Sequence, residues 1–480
     1  MRNLSLKIIA ICLLINNMAC KQVQNETTNL SNQVFDTLTD IWQLSPENQG
    51  ISWQVKKPHM DHLEFSGLRV SAIITYGNDE NGKLVLKKKV IWPMLRTIPN
   101  DTHASLIHDF DENINAGIKA NGIEIGSEKP FEVSFNGILT IKSKTGEGLE
   151  IMRVLSPSVD KAAIVELVTI TNKSGKEVKV EIDKLMHLHK TDKTKGVYGS
   201  YLIKCENQNS VSEDLLDGES LIYSQVYLAT KENEEIKVDA QEEFAKRKEF
   251  IQSLNNSLVF ESPNENLNQM FRFAKIRATE SIYATKGGLM HGPGGSRYYA
   301  AIWANDQAEY INPFFPFLGN ENGNESAINS FRHFARFMND KFEPIPSSIV
   351  AEGTDIWNGA GDRGDAAMIA YGASRFALAY GNKATADSLL PLIKWSLKYC
   401  EHKMLPEGVI SSDCDELENR FPAGKANLTT NMLAYGGYIS AANLLVALDR
   451  ESGLADEYRQ KAKLLRKACE TYFWRRSTGI

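Results

Sequence analysis

The feature that most constrains this chain is a change in its apolar periodicity near residue 235. Before that point, runs rich in Val, Ile, Leu and Thr recur at short spacing between turn residues, which is typical of antiparallel β-structure. After it, apolar residues return at three- and four-residue spacing, which is typical of helices. The sequence therefore predicts a β-sandwich followed by a helical region, and it does not indicate a βαβ alternation.

In the first part, residues 68–76 and 83–92 flank Asn78-Asp-Glu-Asn-Gly82, a turn sequence, so we expect a β-hairpin there. The other apolar runs are further predicted strands, and their short, regular spacing is typical of a β-sandwich. They span residues 131–144, 149–155, 162–172, 178–183 and 221–230.

In the second part, residues 240–255 form a charged helix with few apolar positions, which suits a connector between domains. Seven helices are predicted after it, with no strand among them, and Pro313 is expected to end the second. Their ranges are 265–284, 304–312, 324–338, 364–380, 383–404, 429–448 and 455–473.

The N-terminus has the pattern of a targeting segment. Arg2 and Lys7 precede an apolar run that is too short to span a membrane, and Asn-Met-Ala-Cys resembles the lipobox of bacterial lipoproteins, which makes Cys20 a candidate for lipidation. An ordinary secretory signal is the alternative. We expect a signal peptide at 1–19, a tether at 20–34, a β-sandwich domain at 35–235, a linker helix at 236–260 and a catalytic helical domain at 261–480.

Composition excludes several classes of function. The 480 residues include 54 Lys and Arg against 60 Asp and Glu, a net charge of −6, so no polycationic surface for nucleic acid is expected. Hydrophobic residues make up 42% of the chain, which is enough for a full core. The cysteines lack the spacing of a zinc site or of a disulfide framework, and we expect neither a metal nor a cofactor.

Three loops that precede alternate helices combine carboxylates, aromatic rings and glycines. They span residues 291–306, 355–365 and 411–424. In a ring of helical hairpins such loops open at the same end, so we expect them to converge on one pocket.

Such a pocket suits a sugar, because carboxylates accept hydrogen bonds from hydroxyl groups and aromatic faces stack on a pyranose. Two carboxyl groups can also flank a glycosidic bond as acid and base. The alternatives are purely structural roles. Asp306 could cap a helix, and Asp362 and Asp365 could stabilise the start of the predicted helix at 364–380. The candidate substrate-binding residues are Tyr299, Trp303, Asp306, Asp355, Trp357, Asp362, Arg363 and Arg420.

The order of sandwich, linker helix and helical hairpins, with Tyr298-Tyr299-x-x-x-Trp303-x-x-Asp306, resembles the six-hairpin or (α/α)₆-barrel glycosidases. The nearest group is that of the glucoamylases, glycoside hydrolase family 15 and its relatives. The resemblance implies that Asp306 binds hydroxyls of the sugar at the cleavage point, although Asn305 stands where that group has an Arg.

The same resemblance places the general acid in the third loop. The group's Asp-x-x-Glu ahead of a Thr-Thr helix start is similar to Asp413-Cys-Asp-Glu416 ahead of Thr429-Thr430, and Asp415-Glu-Leu-Glu418 fits the same spacing. The candidate catalytic residues are Glu416, Glu418 and Asp415. We favour Glu416 as the acid, because Glu418 lies nearer to Arg420 in sequence. At least two of the carboxylates from Asp413 to Glu418 are expected to be solvated or paired with Arg420.

Six hairpins require twelve helices, so seven predict a truncated (α/α)₆ toroid that lacks the later loops, where inverting members of this superfamily carry the catalytic base. The expected function is an inverting glycoside hydrolase. A glycoside phosphorylase and a catalytically dead glycan-binding protein are the alternatives, whereas a lyase usually has its toroid first. The partner is a carbohydrate. The expected location is the bacterial cell envelope, with a membrane contact only through the lipid on Cys20, or outside the cell without that lipid.

Overall fold

The structure is a computed structural model that describes residues 41–98, 104–110, 114–208, 210–292, 301–350, 356–357 and 359–474. The predicted signal peptide, the tether and Cys20 lie outside the described residues. Strands dominate up to Lys231 and helices dominate from Ala240 onwards, so the change of periodicity is confirmed as a change from β to α structure.

The N-terminal part consists of antiparallel strands in one nine-stranded sheet and two four-stranded sheets. The nine-stranded sheet has the order β1-β2-β9-β10-β11-β12-β17-β15-β14, and the smaller ones have the orders β3-β4-β5-β6 and β16-β13-β7-β8. The strands are β1 Gln43–Ser45, β2 Gly50–Gln54, β3 His59–Ser66, β4 Ser71–Asn78, β5 Leu84–Thr97, β6 Ala104–Phe110, β7 Ile118–Ala120, β8 Ile123–Glu124, β9 Lys129–Phe135, β10 Leu139–Lys144, β11 Leu149–Pro157, β12 Ala163–Asn172, β13 Val178–Ile182, β14 Met186–Lys190, β15 Tyr201–Asn207, β16 Val211–Leu215 and β17 Ser220–Lys231.

Alternation along β12 shows how these sheets pack. Ile164 and Val168 point to one face, where Ile164 joins the core shared with the β3–β6 sheet and Val168 the core shared with the β7, β8, β13 and β16 sheet. Ala163 and Val165 point to the opposite face and pack near Ala240 at the start of the linker helix. Because successive side chains of a strand point to opposite faces, one long sheet carries two small sheets on one side and a helix on the other.

Two of the strand predictions need correction. The predicted strand 131–144 is a hairpin of β9 and β10, because the backbone of Gly137 has φ +96°, a conformation that favours glycine and reverses the chain. Strands such as β14 were also missed. Most of its side chains are exposed, so its sequence lacks the apolar alternation on which the prediction relied.

The linker helix α1 and the helices after it follow the predicted order with shifted ends. They are α1 Ala240–Asn256, α2 Glu265–Glu280, α3 Asn312–Leu318, α4 Glu321–Ala335, α5 Asp365–Tyr380, α6 Lys383–His402, α7 Leu428–Ala447 and α8 Ser452–Tyr472. None of the helices in the described ranges combines the length and apolarity that crossing a bilayer requires.

The prediction that no strand lies among the helices was wrong. The described part of this region contains five short strands, in a hairpin of two and a sheet of three: β18 Ile282–Thr285, β19 Gly288–His291, β20 Ala301–Trp303, β21 Ser348–Val350 and β22 Ile356–Trp357. They are too short to show a period of two residues in the sequence.

The region predicted as one helix at 304–312 is a π-helical turn, Asp306–Ile311, that runs into α3. Pro313 lies in the first turn of α3 and does not end a helix. Proline is tolerated there because the first N–H groups of a helix have no partner within it.

A buried arginine joins the linker helix to both parts of the chain. The guanidinium of Arg247 is fully buried and donates to the carbonyl oxygens of Gly137, at 2.9 and 3.2 Å, and Ser66, at 3.2 Å. It also pairs with the carboxylate of Glu280 at the end of α2, which is buried too and accepts a bond from Arg277 at 2.6 Å. The helix is therefore held against strand ends on one side and against α2 on the other.

We expect Arg247→Met to lower the free energy of unfolding by about 3 kcal/mol, because it leaves two carbonyl oxygens and part of a buried carboxylate without a donor. Urea denaturation followed by circular dichroism measures the change. Arg459→Met is the matched control, since Arg459 pairs with Asp456 on an exposed helix surface and should change stability by less than about 0.5 kcal/mol. Equal losses in the two variants would contradict the role given to Arg247.

Candidate active site

The first predicted loop leads into the π-helical turn that carries Asp306. Trp303 at the end of β20 pairs with Ser348 of β21, and the N–H of Ala304 donates to the carbonyl oxygen of Ser347 at 2.9 Å. The turn packs tightly on α5, since a Cβ atom added to Gly372 would lie 2.1 Å from the carbonyl oxygen of Ala308. This close approach of two backbones fixes where the side chains of the turn project.

The second loop delivers a buried arginine. The side chain of Arg363 is 1% exposed, and its guanidinium donates to Asp365 at 2.9 Å, to Asn305 at 3.2 Å and to Glu418 at 3.3 Å. Its guanidinium carbon also lies 5.4 Å from the centre of a Trp303 ring, over its face. Arg363 therefore touches residues of all three predicted loops.

Asp362 is turned away from this centre. One of its carboxylate oxygens accepts a 2.6 Å bond from the hydroxyl of Tyr399, and the other accepts a 2.9 Å bond from the N–H of Gly364. Lys403 lies 3.6 Å from the same carboxylate. The structure therefore places Asp362, predicted to bind substrate, behind the cleft, where its partners hold the second loop in shape.

The third loop is fastened to the second by backbone bonds. The carbonyl oxygen of Asp362 accepts bonds from the N–H groups of Asp413 and Cys414 at 2.8 and 3.1 Å, and the carboxylate of Asp413 accepts one from the N–H of Asp362 at 2.8 Å. Asn427 caps α7 through the N–H of Thr430 at 2.8 Å. The stretch between, which contains Glu416 and Glu418, is thereby held over the start of α5.

These elements enclose an open cleft of about 610 Å³. The first loop and the turn contribute His291, Trp303, Asn305, Asp306, Tyr310 and Ile311. The second and third loops contribute Arg363, Glu416, Glu418 and Arg420. The predicted convergence on one pocket is therefore seen for Trp303, Asp306, Arg363, Glu416, Glu418 and Arg420.

Other predicted residues lie beside the cleft or outside the described part of the chain. The ring of Trp357 is 5.1 Å from that of Trp303, centre to centre, so it supports the aromatic wall from behind. The carboxylate of Asp415 accepts a 2.9 Å bond from the N–H of Leu417, and Asp415 is not among the cleft residues. Tyr299 and Asp355 lie outside the described residues.

Carboxyl groups near the cleft hold their protons more tightly than usual. Burial raises the pKa of Asp306; Arg363 opposes this rise, and Glu416 adds to it. Burial raises the pKa of Glu309 to about 7, helped by the negative charges of Glu416, Asp306 and Asp365 and opposed by Arg363. Carboxyl groups with pKa values near neutrality are frequent at catalytic sites.

Glu309 and four cleft residues, His291, Asn305, Tyr310 and Ile311, were not among the predicted site residues. Glu309 follows Asp306 by three residues, a spacing that places both on one side of a helix, and this signal was overlooked. Tyr310, 59% exposed, and His291 also line the cleft, as does Asn305. Burial lowers the pKa of His291 to about 4, so its imidazole is neutral at pH 7. Within the described ranges, no cluster of His, Cys, Asp or Glu has an arrangement that could hold a metal ion.

The fold is similar to that of a solved enzyme structure. A protein assigned as a kojibiose phosphorylase from the human microbiome superposes with a TM-score of 0.52 at 9% identity, over 91% of this chain and 71% of the other. A bacterial glucoamylase in complex with acarbose gives a TM-score of 0.46 at 11% identity, over 87% and 67%, and carries no argument at that score. No family model and no curated protein sequence matches the chain. The first superposition shows a shared fold and nothing finer.

We expect Glu309→Gln to flatten the pH dependence of stability. The pKa of Glu309 in the folded protein, about 7, lies above its ordinary value of 4.5, so the stability contributed by its proton is complete below pH 4.5 and is lost as pH rises through 7. The variant should reduce the loss of unfolding free energy between pH 5 and 8 by on the order of 1–2 kcal/mol, a figure discounted for the partial exposure of the side chain.

Denaturation at a series of pH values measures this effect. Glu325→Gln, the same chemical change at an exposed position of α4, is the control and should follow the wild type. A Glu309→Gln profile parallel to that of the wild type would rule out the raised pKa.

Proposed function

We propose that the chain is a carbohydrate-active enzyme, a glycoside hydrolase with the six-hairpin architecture whose substrate binds in the cleft between the three loops. The observation that carries this proposal is the convergence of Trp303, Asp306 and Glu416 around the buried Arg363. An aromatic face and a carboxylate for hydroxyl groups suit a bound sugar, and a further carboxyl group can act as the general acid of glycosidic cleavage.

The packing of the helices supports a partial toroid. The helices α5 and α7, which follow the second and third loops, pack against each other, and each is followed by a helix that returns along it, α6 and α8. Gly437 on α7 allows this close contact, since a Cβ atom there would lie 3.2 Å from the Cβ of Ala370 on α5. In a toroid, α5 and α7 would be inner helices and α6 and α8 outer ones.

Contacts in the third loop favour Glu416 over Glu418 as the general acid. One carboxylate oxygen of Glu418 lies 3.3 Å from the guanidinium of Arg363 and is engaged in that ion pair. In contrast, Oε2 of Glu416 is buried and accepts no hydrogen bond from any residue that the structure describes. This oxygen is therefore open to a hydrogen bond with a glycosidic oxygen, which the general acid has to contact.

The other cleft residues then bind and orient the sugar. Asp306 accepts hydrogen bonds from hydroxyl groups at the cleavage point, and the indole of Trp303 stacks on the ring. In the glucoamylase group an Arg stands at the position that Asn305 occupies here. Arg363 of the second loop lies over the indole and bonds to Asn305, so it supplies a positive charge near that position. The acid assists departure of the leaving group while water, which gives its proton to a general base, attacks from the opposite face and inverts the anomeric centre. That base is expected on later hairpins and not in these three loops.

The fold similarity to a protein assigned as a phosphorylase keeps phosphorolysis as a second candidate. In that reaction phosphate replaces water as the nucleophile. Arg420, exposed at the rim of the cleft, offers a positive charge that a phosphate group could use.

We also propose the division into a sandwich domain at 35–235, a linker helix at 236–260 and a catalytic domain at 261–480. Lipidation of Cys20 would hold the protein in the bacterial cell envelope by a tether at 20–34. Labelling with a radioactive fatty acid, abolished by Cys20→Ser, tests the anchor.

The proposed activity is tested by offering the chain aryl glycosides and oligosaccharides with and without inorganic phosphate. Tryptophan fluorescence reports binding, and proton NMR reports the anomer that is first released. Hydrolysis without phosphate supports the proposal. A sugar phosphate formed only with phosphate identifies a phosphorylase, and binding without product identifies a glycan-binding protein. If no glycan is bound and no product is formed, the hydrolase, the phosphorylase and the glycan-binding protein are all excluded.

The fluorescence readout has a matched pair of variants. Trp303→Phe should lose the response to sugar, whereas Trp395→Phe should keep it. The indole of Trp395 donates to the carbonyl oxygen of Asn339, away from the cleft, at 2.9 Å.

We expect Glu416→Gln to abolish most activity on natural glycosides while largely sparing a glycosyl fluoride, because fluoride departs without protonation. Ratios of kcat/KM for the two substrates measure the effect. Glu418→Gln is the comparison, and it should reduce both substrates similarly through its contact with Arg363. A selective loss in Glu418→Gln alone would reverse the assignment.

We expect Asp306→Asn to lower kcat/KM by the equivalent of about 2–4 kcal/mol, since charge-assisted hydrogen bonds to sugar hydroxyls strengthen in the transition state. The melting temperature should fall little, because the side chain keeps its size and the N-cap position of the turn is held by Asn305 and not by Asp306. Unchanged turnover with a lowered melting temperature would show that Asp306 acts only in folding.

A further inference from the structure

A second cavity lies where the sandwich region meets the β18–β19 hairpin. Its volume of about 490 Å³ is within the range of about 300–1,000 Å³ that is usual for ligand pockets. The sandwich region contributes residues of β5 and β17 and Arg69 of the turn between β3 and β4, and the hairpin contributes Ala284, Thr285 and Lys286. Among the described residues, none lines both this cavity and the cleft. The cavity is therefore separate from the candidate active site.

The turn that carries Arg69 is fastened on both sides. The N–H of Leu68 donates to the carbonyl oxygen of Val159 at 2.9 Å, and the carbonyl oxygen of Leu68 accepts a 2.8 Å bond from the N–H of Ala284 on β18. The first bond holds the turn to the sandwich region, and the second holds it to the hairpin. The backbone of Arg69 is therefore in place before any ligand binds.

The turn that carries Lys286 is fastened as well. The carbonyl oxygen of Gly287 accepts a 2.8 Å bond from the side-chain amide of Asn329 on α4, and it lies 2.9 Å from Nε2 of His333 on the same helix. The amide of Asn329 also donates to the carbonyl oxygen of Leu289 at 3.0 Å. A pocket with such fixed walls loses little conformational entropy when a ligand binds.

One wall of the cavity is apolar. The side chain of Trp92 is 1% exposed, and its indole N–H already donates to the carbonyl oxygen of Ala162 at 3.0 Å, so the ring offers only apolar surface. Met94, Leu95 and Ala229 extend this surface. Such a wall suits the apolar face of a pyranose ring.

Four charged side chains line the cavity, and two of them are paired with each other. The ammonium group of Lys231 lies 3.1 Å from a carboxylate oxygen of Glu234. Arg69 and Lys286 are exposed, and neither side chain forms an ion pair or a hydrogen bond with a residue in the described ranges. Two positive charges at the cavity are therefore available to a ligand.

We propose that this cavity is a second binding site, whose ligand is a glycan with an anionic group, a carboxylate or a sulfate, on its sugar ring. Arg69 and Lys286 bind the anionic group, and the apolar wall contacts the ring. Binding depends on this cavity alone. Its purpose, to retain an acidic polysaccharide beside the cleft, rests on the proposed function.

The β18–β19 hairpin explains how retention would serve the cleft. Lys286 lies in its turn, whereas His291 at the end of β19 lines the cleft. At about 3.3 Å per residue, the four residues of β19 span on the order of 13 Å. A polysaccharide held at the cavity is therefore kept close to the proposed place of cleavage.

Isothermal titration calorimetry of the whole chain tests the binding. The probes are a trimer of galacturonic acid, a sulfated trisaccharide, the neutral maltotriose and inorganic phosphate. At least one acidic trisaccharide should bind about tenfold more tightly than maltotriose, and salt should weaken its binding by screening the two cations. The tighter of the two acidic probes identifies the anionic group.

Variants locate the bound probe. Arg69→Met and Lys286→Met should each weaken binding of the acidic trisaccharide by about tenfold, since each loses a charge-assisted contact. Ala284→Leu fills part of the cavity without removing a charge and should weaken it too. Arg332→Met on α4 and Lys463→Met on α8 are the matched controls, because they remove exposed cations elsewhere and should leave affinity unchanged.

Three results would overturn the proposal. The first is equal affinity for maltotriose and the acidic probes. The second is binding of the acidic probes that none of the three cavity variants weakens. The third is phosphate that binds as tightly as the acidic trisaccharides and displaces them, which would show a site for free anions and not for a glycan.

Variants of the cleft separate failure of this site from failure of the proposed function. Trp303→Phe and Asp306→Asn should keep the binding that depends on Arg69. If no glycan is cleaved but this binding is found, the proposed function fails and the second site stands. If glycans are cleaved but the acidic probes bind only through Trp303 and Asp306, the second site is wrong.

Discussion

The guanidinium of Arg363 is the contact on which the geometry of the cleft depends. It is buried, and it bonds to the first loop through Asn305, to its own loop through Asp365 and to the third loop through Glu418. A buried cation tolerates the loss of a partner poorly, because the cost of removing it from water is offset only by its surrounding acceptors. Charge compensation of this guanidinium therefore helps to place all three loops, and with them the side chains that are proposed to bind a sugar.

Local periodicity was enough to predict the order of β and α structure, because each part has a large apolar core of its own. It failed where a segment is short or mostly exposed. The strand β14 has too few buried side chains to show alternation, and β20 has only three residues. The π-helical turn was read as an ordinary helix because its apolar spacing over six residues does not distinguish the two. Such features are set by tertiary packing, here by the backbone of Ala308 against Gly372.

The same distinction applies to the cleft. Loops rich in carboxylates and aromatic rings predicted a candidate site, and Trp303, Asp306 and Glu416 line one cleft. The direction in which each side chain points could not be predicted from the sequence. Asp362 and Arg363 are neighbours in the chain, yet one points to Tyr399 behind the cleft and the other into it. The three-residue spacing of Glu309 from Asp306 was visible in the sequence, but the burial that raises the pKa of Glu309 was not.

The contact of Arg247 with Gly137, Ser66 and Glu280 limits how chains of this architecture exchange parts in evolution or in design. The carbonyl oxygens come from the β-strand region, the carboxylate from α2, and the cation from the helix between them. A chimera with strands from another protein would present different backbone oxygens to this cation and leave it buried and unsatisfied. Productive recombination at this boundary therefore requires the strand ends, the linker helix and α2 to be transferred together as one inherited unit.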